Sequence, residues 1–269
     1  MLIVPAKPAS AAYPTKVIPP KPGDLSEVFS GVQGEGPLVG ERHLFVRLGG
    51  CPFRCHYCDT PAALLAEEYC FVEEPPASRK FRKVANPVAP DALRSIAAGF
   101  LGASGLHRAI TITGGEPLWQ APYLRQALPL LRGFGKKIYL ETAGAHVEEL
   151  KSVLEFVDVI AMDLKPPSAT AMKPMWSAHR EFLRVALVKE VIVKVVVTRT
   201  TAQHDLEMVR DLVAEVDRTV PMILQPVTPA WKVRVGPTIS QLLAWQAMFS
   251  EKLERVRIIP QIHRMLGDR

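Results

Sequence analysis

The sequence predicts an α/β fold in which parallel strands are joined by helices, and three observations carry that expectation. Short β-branched runs alternate with amphipathic stretches along most of the chain, the pattern of repeated strand–helix units. A composition of 48% hydrophobic and 22% charged residues, with no long apolar run, describes a globular chain with a sizeable core. Every motif with chemical content falls at the end of a predicted strand, where β/α folds carry their functional loops whether the sheet closes or stays open. The 269 residues leave room for one large domain or two small ones. We expect a single core over 24–269.

In chain order, residues 1–23 hold six prolines and little apolar periodicity, which predicts a disordered or surface-draped arm. The apolar start lacks a basic flank and is broken by Pro5 and Pro8, so no secretory leader is expected. Candidate strands then run over His43–Leu48, Ala109–Thr113, Lys137–Glu141, Val157–Met162, Val191–Thr198, Met222–Gln225 and Val256–Ile259. Between them lie helical stretches near Asp91–Phe100, Trp119–Leu131, Val147–Phe156, Trp176–Leu187, Gln203–Val216 and Ser240–Leu253. Pro129 should bend or shorten the second of these. The segment of about 67–87, rich in Pro, Lys, Arg and Glu, reads as an insertion.

The formal net charge is +6, yet Lys and Arg are scattered and no basic run is interleaved with aromatics. This excludes a nucleic-acid partner from the expectation and favours anionic small molecules or an acidic redox protein. No segment has the length of a membrane span.

Cysteine usage is the strongest signal. Of four cysteines, Cys51, Cys55 and Cys58 fall within eight residues, directly after the strand His43–Leu48. That is a ligand cluster, suited to a reducing cytoplasm, rather than a framework of bridges. Spacings of three and two residues let one loop wrap three sulfurs around one inorganic centre, with Gly49 and Gly50 allowing close backbone approach. Three thiolates on a [4Fe-4S] cluster leave one iron open. The competing reading is a non-catalytic zinc module completed by Cys70 or His56; the paired C-x-x-C units usual for zinc are missing.

This C-x-x-x-C-x-x-C loop resembles the hallmark of the radical S-adenosylmethionine (SAM) superfamily. The run Val28-Phe29-Ser30-Gly31-Val32-Gln33-Gly34-Glu35-Gly36-Pro37, with Phe45-Val46-Arg47-Leu48 and Cys58-Asp59-Thr60, resembles the 7-carboxy-7-deazaguanine synthase family. The resemblance implies a modified, incomplete (β/α) barrel. It also implies conversion of 6-carboxy-5,6,7,8-tetrahydropterin to 7-carboxy-7-deazaguanine with loss of ammonia, on a route to deazaguanine nucleosides such as queuosine. In that family a radical takes hydrogen from C6 of the pterin and Mg²⁺ assists the rearrangement. A homodimer and a flavodoxin-like electron donor are implied as well. A radical activase that installs a glycyl radical on a partner protein is the rival within the superfamily.

The resemblance assigns roles residue by residue. Val32, Gln33, Gly34 and Glu35 would bind the pterin, where glycine content alone suggests an ordinary turn. Arg47, a guanidinium in an apolar strand, would take the substrate carboxylate, or else pair with a nearby Glu. Thr113 would face substrate, while Gly114, Gly115 and Glu116 hold SAM. Thr60 would be a Mg²⁺ ligand, where a helix cap is the common role of such a hydroxyl. Tyr57, Cys58, Asp59 and Thr142 complete the cofactor side. Asp163, Leu164 and Lys165 stand where the family has S-P-K; Asp163 could accept ribose hydroxyls, and the same D-x-K recurs in activases. Leu224, Gln225, Pro226 and Val227 resemble a segment near the adenine, and Gln261-Ile262-His263 resembles a Q-x-H element whose His263 lines the substrate site.

Overall fold

The computed structural model describes residues 14–102, 105–230 and 232–268. Most of the expected amino-terminal arm lies outside the described residues; its end, 14–23, carries no helix or strand. It is tied down at Gly23, whose N–H donates to Gln120 Oε1 at 2.9 Å, and Pro20 packs against Gly50.

The strands are β1 (Leu25–Val32), β2 (Arg42–Leu48), β3 (Tyr69–Glu73), β4 (Phe81–Ala85), β5 (Ala109–Gly114), β6 (Lys137–Thr142), β7 (Val159–Leu164), β8 (Glu190–Val197), β9 (Met222–Pro226) and β10 (Val256–Ile258). They form one ten-stranded sheet in the order β10-β9-β8-β7-β6-β5-β2-β1-β3-β4. The seven strands β2, β5, β6, β7, β8, β9 and β10 are parallel to their neighbours in six pairs, β1 runs antiparallel to β2, and among the described residues the edge strand β10 does not pair with the other edge, β4. This is the expected incomplete barrel.

The helices are α1 (Pro90–Leu101), α2 (Ala121–Arg132), α3 (Val147–Val153), α4 (Pro167–Thr170), α5 (Trp176–Ala186), α6 (Gln203–Val216), α7 (Ile239–Ser250) and α8 (Ile262–Met265). Pro90 occupies the first position of α1, where its missing N–H costs nothing. In α2, Pro129 sits on the solvent side and the helix ends three residues later. A reciprocal capping box, Thr238 with Gln241, starts α7.

Side-chain alternation along each strand divides the sheet into two faces. One parity, including Leu44, Val46, Ile110, Ile112, Ile138, Leu140, Ile160, Met162, Val193, Val195, Met222 and Leu224, packs into the main core with the helices. The other parity faces the concave side. Near the amino-terminal ends of the strands it is apolar, with Ala109, Tyr139, Val159, Ile192 and Ile223 forming a plug. Toward the carboxyl ends it turns polar, and there it builds a site.

The segment expected as an insertion folds as the antiparallel hairpin β3–β4, and β3 pairs in parallel with β1. Three strands, β1, β3 and β4, were absent from the expectation. In β1 the apolar alternation is masked because polar Glu27 and Ser30 are buried among partners.

Candidate active site

The cysteine loop leaves β2 at Gly49 and is fixed by backbone bonds to neighbouring strand ends. Gly49 N–H donates to Asp24 O at 2.8 Å, Gly50 N–H to Ala63 O at 2.9 Å, and Glu116 N–H to Gly50 O at 3.0 Å. Gln120 Nε2 donates to both Asp24 O and Gly49 O at 2.8 Å. Gly115 is required by this packing: a Cβ there would sit 2.3 Å from Gly50 O and 2.6 Å from Ala63 O.

Cys51, Cys55 and Cys58 all line one cavity. Cys70 does not: it lies on β3, fully buried in the main core. His56 does not line the cavity either, and its Nε2 stands 3.5 Å from Lys232 Nζ. The fourth ligand that a closed zinc site needs is therefore not assembled among the described residues. Burial raises all three thiols, Cys58 to about 12. Sulfurs so buried in one wall become thiolates against a metal charge, and three of them match a cluster with one open corner.

In the same cavity, the inward parity brings Arg47, Thr113, Glu141, Asp163, Lys194 and Gln225 onto the wall from six different strands. The turn Val32–Glu35 and the segment Gln261–Arg264 close the side where the sheet is open. Among the lining residues, Arg47, Lys165, Lys194 and Arg264 face four carboxylates, Glu35, Asp59, Glu141 and Asp163.

Glu35 is the hub. It pairs with Lys194 and accepts from Gln225 Nε2 at 3.0 Å and Gln261 Nε2 at 2.8 Å. Burial alone would raise its pKa, but the charge and hydrogen bond of Lys194 outweigh burial and hold the carboxyl below its ordinary value. Gln33 supports the turn, accepting from Glu35 N–H at 3.0 Å while its Nε2 donates to Glu141 at 3.1 Å. Gln261 also reaches Asp59 Oδ2 at 2.8 Å, and Arg264 donates to Asp59 O at 2.6 Å. Burial acts against the Asp59 charge too, yet Arg264, Lys194 and Arg47 together hold it ionised. Thr60 Oγ1 donates to Asp59 Oδ1 at 3.0 Å, and donor atoms of Glu35, Asp59 and His263 lie within 4.8 Å of one another. Hard oxygens of this kind suit Mg²⁺.

Arg47 pairs with Glu27, Nε to Oε1 at 2.8 Å, and lines the cavity as well. The structural ion pair and the site position, set against each other in the sequence, coexist. Gly34 lies against His263: a Cβ there would be 2.1 Å from Nδ1. Asp163 Oδ2 accepts from Lys165 Nζ at 2.9 Å, whereas Asp163 Oδ1 is buried with no hydrogen-bond partner among the described residues, as is Gln225 Oε1. Buried polar atoms without partners in a cavity wall are positions for a ligand's hydrogen bonds.

Most of the expected site residues line the cavity, namely Val32, Gln33, Gly34, Glu35, Arg47, Thr113 and His263 on one side and Tyr57, Cys58, Asp59, Thr60, Gly114, Gly115, Thr142, Asp163, Lys165, Gln225 and Val227 on the other. Four do not. Leu164 and Leu224 have the outward parity and belong to the core, and Pro226 is absent from the lining. Glu116 turns inward to the fold, accepting from Leu118 N–H, Thr142 Oγ1 and Ala143 N–H, so it fastens two strand tips together. Lys194 and Arg264 were not expected; for Lys194, a polar residue of inward parity within a strand was the one available signal.

The sequence model of the radical SAM superfamily matches residues 45–216. The 7-carboxy-7-deazaguanine synthase of Geobacter sulfurreducens is 42% identical over 253 residues, covering 92% of this chain and 98% of that protein. The synthase of the same name from Methanothermobacter thermautotrophicus is 30% identical over 265 residues, 90% of this chain and 96% of that one. The crystal structure of QueE from Escherichia coli superposes with a TM-score of 0.53 at 22% identity, over 87% of this chain and 92% of that one, a likeness of fold. With this cysteine loop, this cavity and these relatives, the chain belongs to the radical SAM superfamily and, within it, to the 7-carboxy-7-deazaguanine synthase family.

Proposed function

We propose that this chain is a radical SAM carbon–nitrogen lyase that converts 6-carboxy-5,6,7,8-tetrahydropterin to 7-carboxy-7-deazaguanine with loss of ammonia. The observation that carries the reading is the convergence, in one cavity, of the three-cysteine loop and a wall of paired polar side chains suited to a flat heterocycle bearing a carboxylate.

In this reading Cys51, Cys55 and Cys58 hold the [4Fe-4S] cluster, and Thr60 beside Asp59 holds Mg²⁺. Gly114, Gly115, Thr142, Asp163, Lys165, Gln225 and Val227 surround SAM together with Tyr57 and Asp59. When bound, these groups supply hydrogen-atom abstraction and a Lewis acid; the chain positions the reactants. Glu35, kept ionised by Lys194, accepts hydrogen bonds from the pyrimidine edge of the pterin. Arg47, clamped at Nε by Glu27, presents its guanidinium to the substrate carboxylate. Thr113 and His263 fix the ring between them. Asp163 Oδ1, lacking a protein donor among the described residues, accepts a ribose hydroxyl.

An acidic, flavodoxin-like protein completes the reading as electron donor. Four segments meet at the cysteine loop: Arg54 bonds the carbonyl of Lys16, His56 N–H donates to Thr170 O at 3.1 Å, the sulfurs of Cys55 and Met172 are 3.8 Å apart, and Lys232 reaches His56. Residues 14–23, 51–58, 169–178 and 226–238 carry Lys16, Lys21, Arg54, Lys173, Lys232 and Arg234 and no Asp or Glu. Such a collar steers an acidic partner toward the cluster. Among the described residues no helix is long and apolar enough to cross a membrane. A cytoplasmic homodimer fits the free cysteines and the exposed Ile239 and Leu243, one turn apart on α7.

The test is anaerobic incubation with SAM, dithionite and the carboxytetrahydropterin, read by product mass. SAM cleavage without carboxydeazaguanine would sink the proposal.

A further inference from the structure

The cavity wall on the open side of the sheet is not a strand but the segment Gln261–Arg264, with α8 only four residues long. So short a helix has little stability of its own, and bonds to distant segments fix its place at both ends. Ile262 N–H donates to Gly34 O at 2.9 Å at one end. At the other, Asp268 does three things: its N–H donates to His263 O at 2.7 Å, its Oδ2 accepts from Val32 N–H at 3.1 Å, and its Oδ1 pairs with Arg79. The Asp268 side chain is only 6% exposed, close to the chain end, a burial that a carboxylate tolerates when its charge is matched.

Arg79 comes from the turn of the β3–β4 hairpin, the segment whose role the sequence left open. Ala77 and Arg79 both hold left-handed backbone angles there, φ 64° and 58°, in a conformation non-glycine residues seldom adopt. The turn is held by Glu73, 1% exposed, which accepts from Arg79 N–H at 2.9 Å and from Ser30 N–H on β1 at 3.0 Å. Strained backbone that the surroundings enforce is maintained at places where a side chain must be aimed.

We propose that Arg79 and Asp268 are positioning residues: the hairpin turn clasps the carboxy-terminal segment and so sets Gln261 and His263 against Glu35 and Gly34 for substrate binding. Neither residue lines the cavity. The hairpin therefore acts on the substrate site through the segment it holds, and this inference rests on the function proposed above only for the identity of the substrate.

The experiment compares Arg79→Ala, Arg79→Lys and Asp268→Asn in the cluster-reconstituted protein. Arg79→Ala should raise KM for the carboxytetrahydropterin about fivefold, the size of one partly exposed ion pair. Its kcat should change less, iron content and substrate-free SAM cleavage should stay at wild-type levels, and Arg79→Lys should recover most of the loss. Amide hydrogen exchange over 261–266 reads the placement without substrate and should quicken in Arg79→Ala and Asp268→Asn. Unchanged exchange in both variants would overturn the clasp even if the wild type proves to act on another substrate. A KM rise matched by equal losses of SAM cleavage and iron would overturn it too, as damage to the whole site.

Discussion

Replacing Lys194 by Met removes the cation bonded to Glu35 and leaves that buried carboxylate with hydrogen bonds from Gln225 and Gln261. The side chains of Lys194 and Glu35 are 17% and 16% exposed, so the pair is nearly but not wholly dry. Breaking a buried pair from one side costs about 3–5 kcal/mol, and residual solvent access favours the lower end, about 3 kcal/mol. At about 2–4 °C per kcal/mol, the unfolding midpoint should fall by roughly 6–12 °C at neutral pH. The pH dependence carries the sharper test. In the wild type Glu35 sits below its ordinary pKa, so its contribution is present above the unfolded value and is lost as pH falls through the folded one. Without Lys194, burial and the neighbouring Asp59 charge both push the folded pKa above the unfolded value. That group then favours the folded state only at low pH, and its support disappears as pH rises. The gap between wild type and variant should thus widen from about pH 5 to about pH 8. Adding Glu35→Gln should close most of it by removing the stranded charge. Thermal unfolding of the reconstituted proteins across that range is the assay. A gap independent of pH, or a double variant no more stable than Lys194→Met, would refute the reasoning.

Gly115→Ala should prevent the cysteine loop from seating on the tip of β5, because the added methyl meets two backbone carbonyls that cannot swing aside; iron and sulfide content after reconstitution should drop at least several-fold. Thr60→Ala should shift the Mg²⁺ titration of turnover to higher concentration, and an unchanged titration would remove Thr60 from the metal's surroundings. Charge reversal at Lys173, Lys232 and Arg234 should slow turnover driven by a reduced acidic flavoprotein at least tenfold, more so at low salt, while dithionite-driven turnover holds. Equal rates with both reductants would place the donor elsewhere.

Much of the fold was legible because parallel strands buried on their outer face leave β-branched runs; seven of the ten strands and the six longer helices follow from them. The hairpin β3–β4 was not, since Lys80, Arg82, Lys83 and Glu74 give it the look of a solvated loop. The cysteine loop and the Val32–Glu35 turn were readable as contiguous motifs. Lys194 was not, because one lysine inside Glu190–Val197 looks like the solvent face of a half-buried strand, whereas here the inner face is a polar cavity. Leu164 and Leu224 show the converse: they neighbour site residues in sequence and point away from them in space. Arg79 and Asp268 meet across 189 positions, a relation no local pattern encodes.

Cys70 sits fully buried in the hydrophobic interior, with no opening to the cavity that the three other sulfurs line. An alkylating reagent applied to the native protein should therefore leave it untouched, and its labelling would signal unfolding. The remaining cysteines then become a direct gauge of iron loading, shielded when the inorganic core is in place and modifiable when it is stripped, with an internal control for chain integrity built into the same molecule.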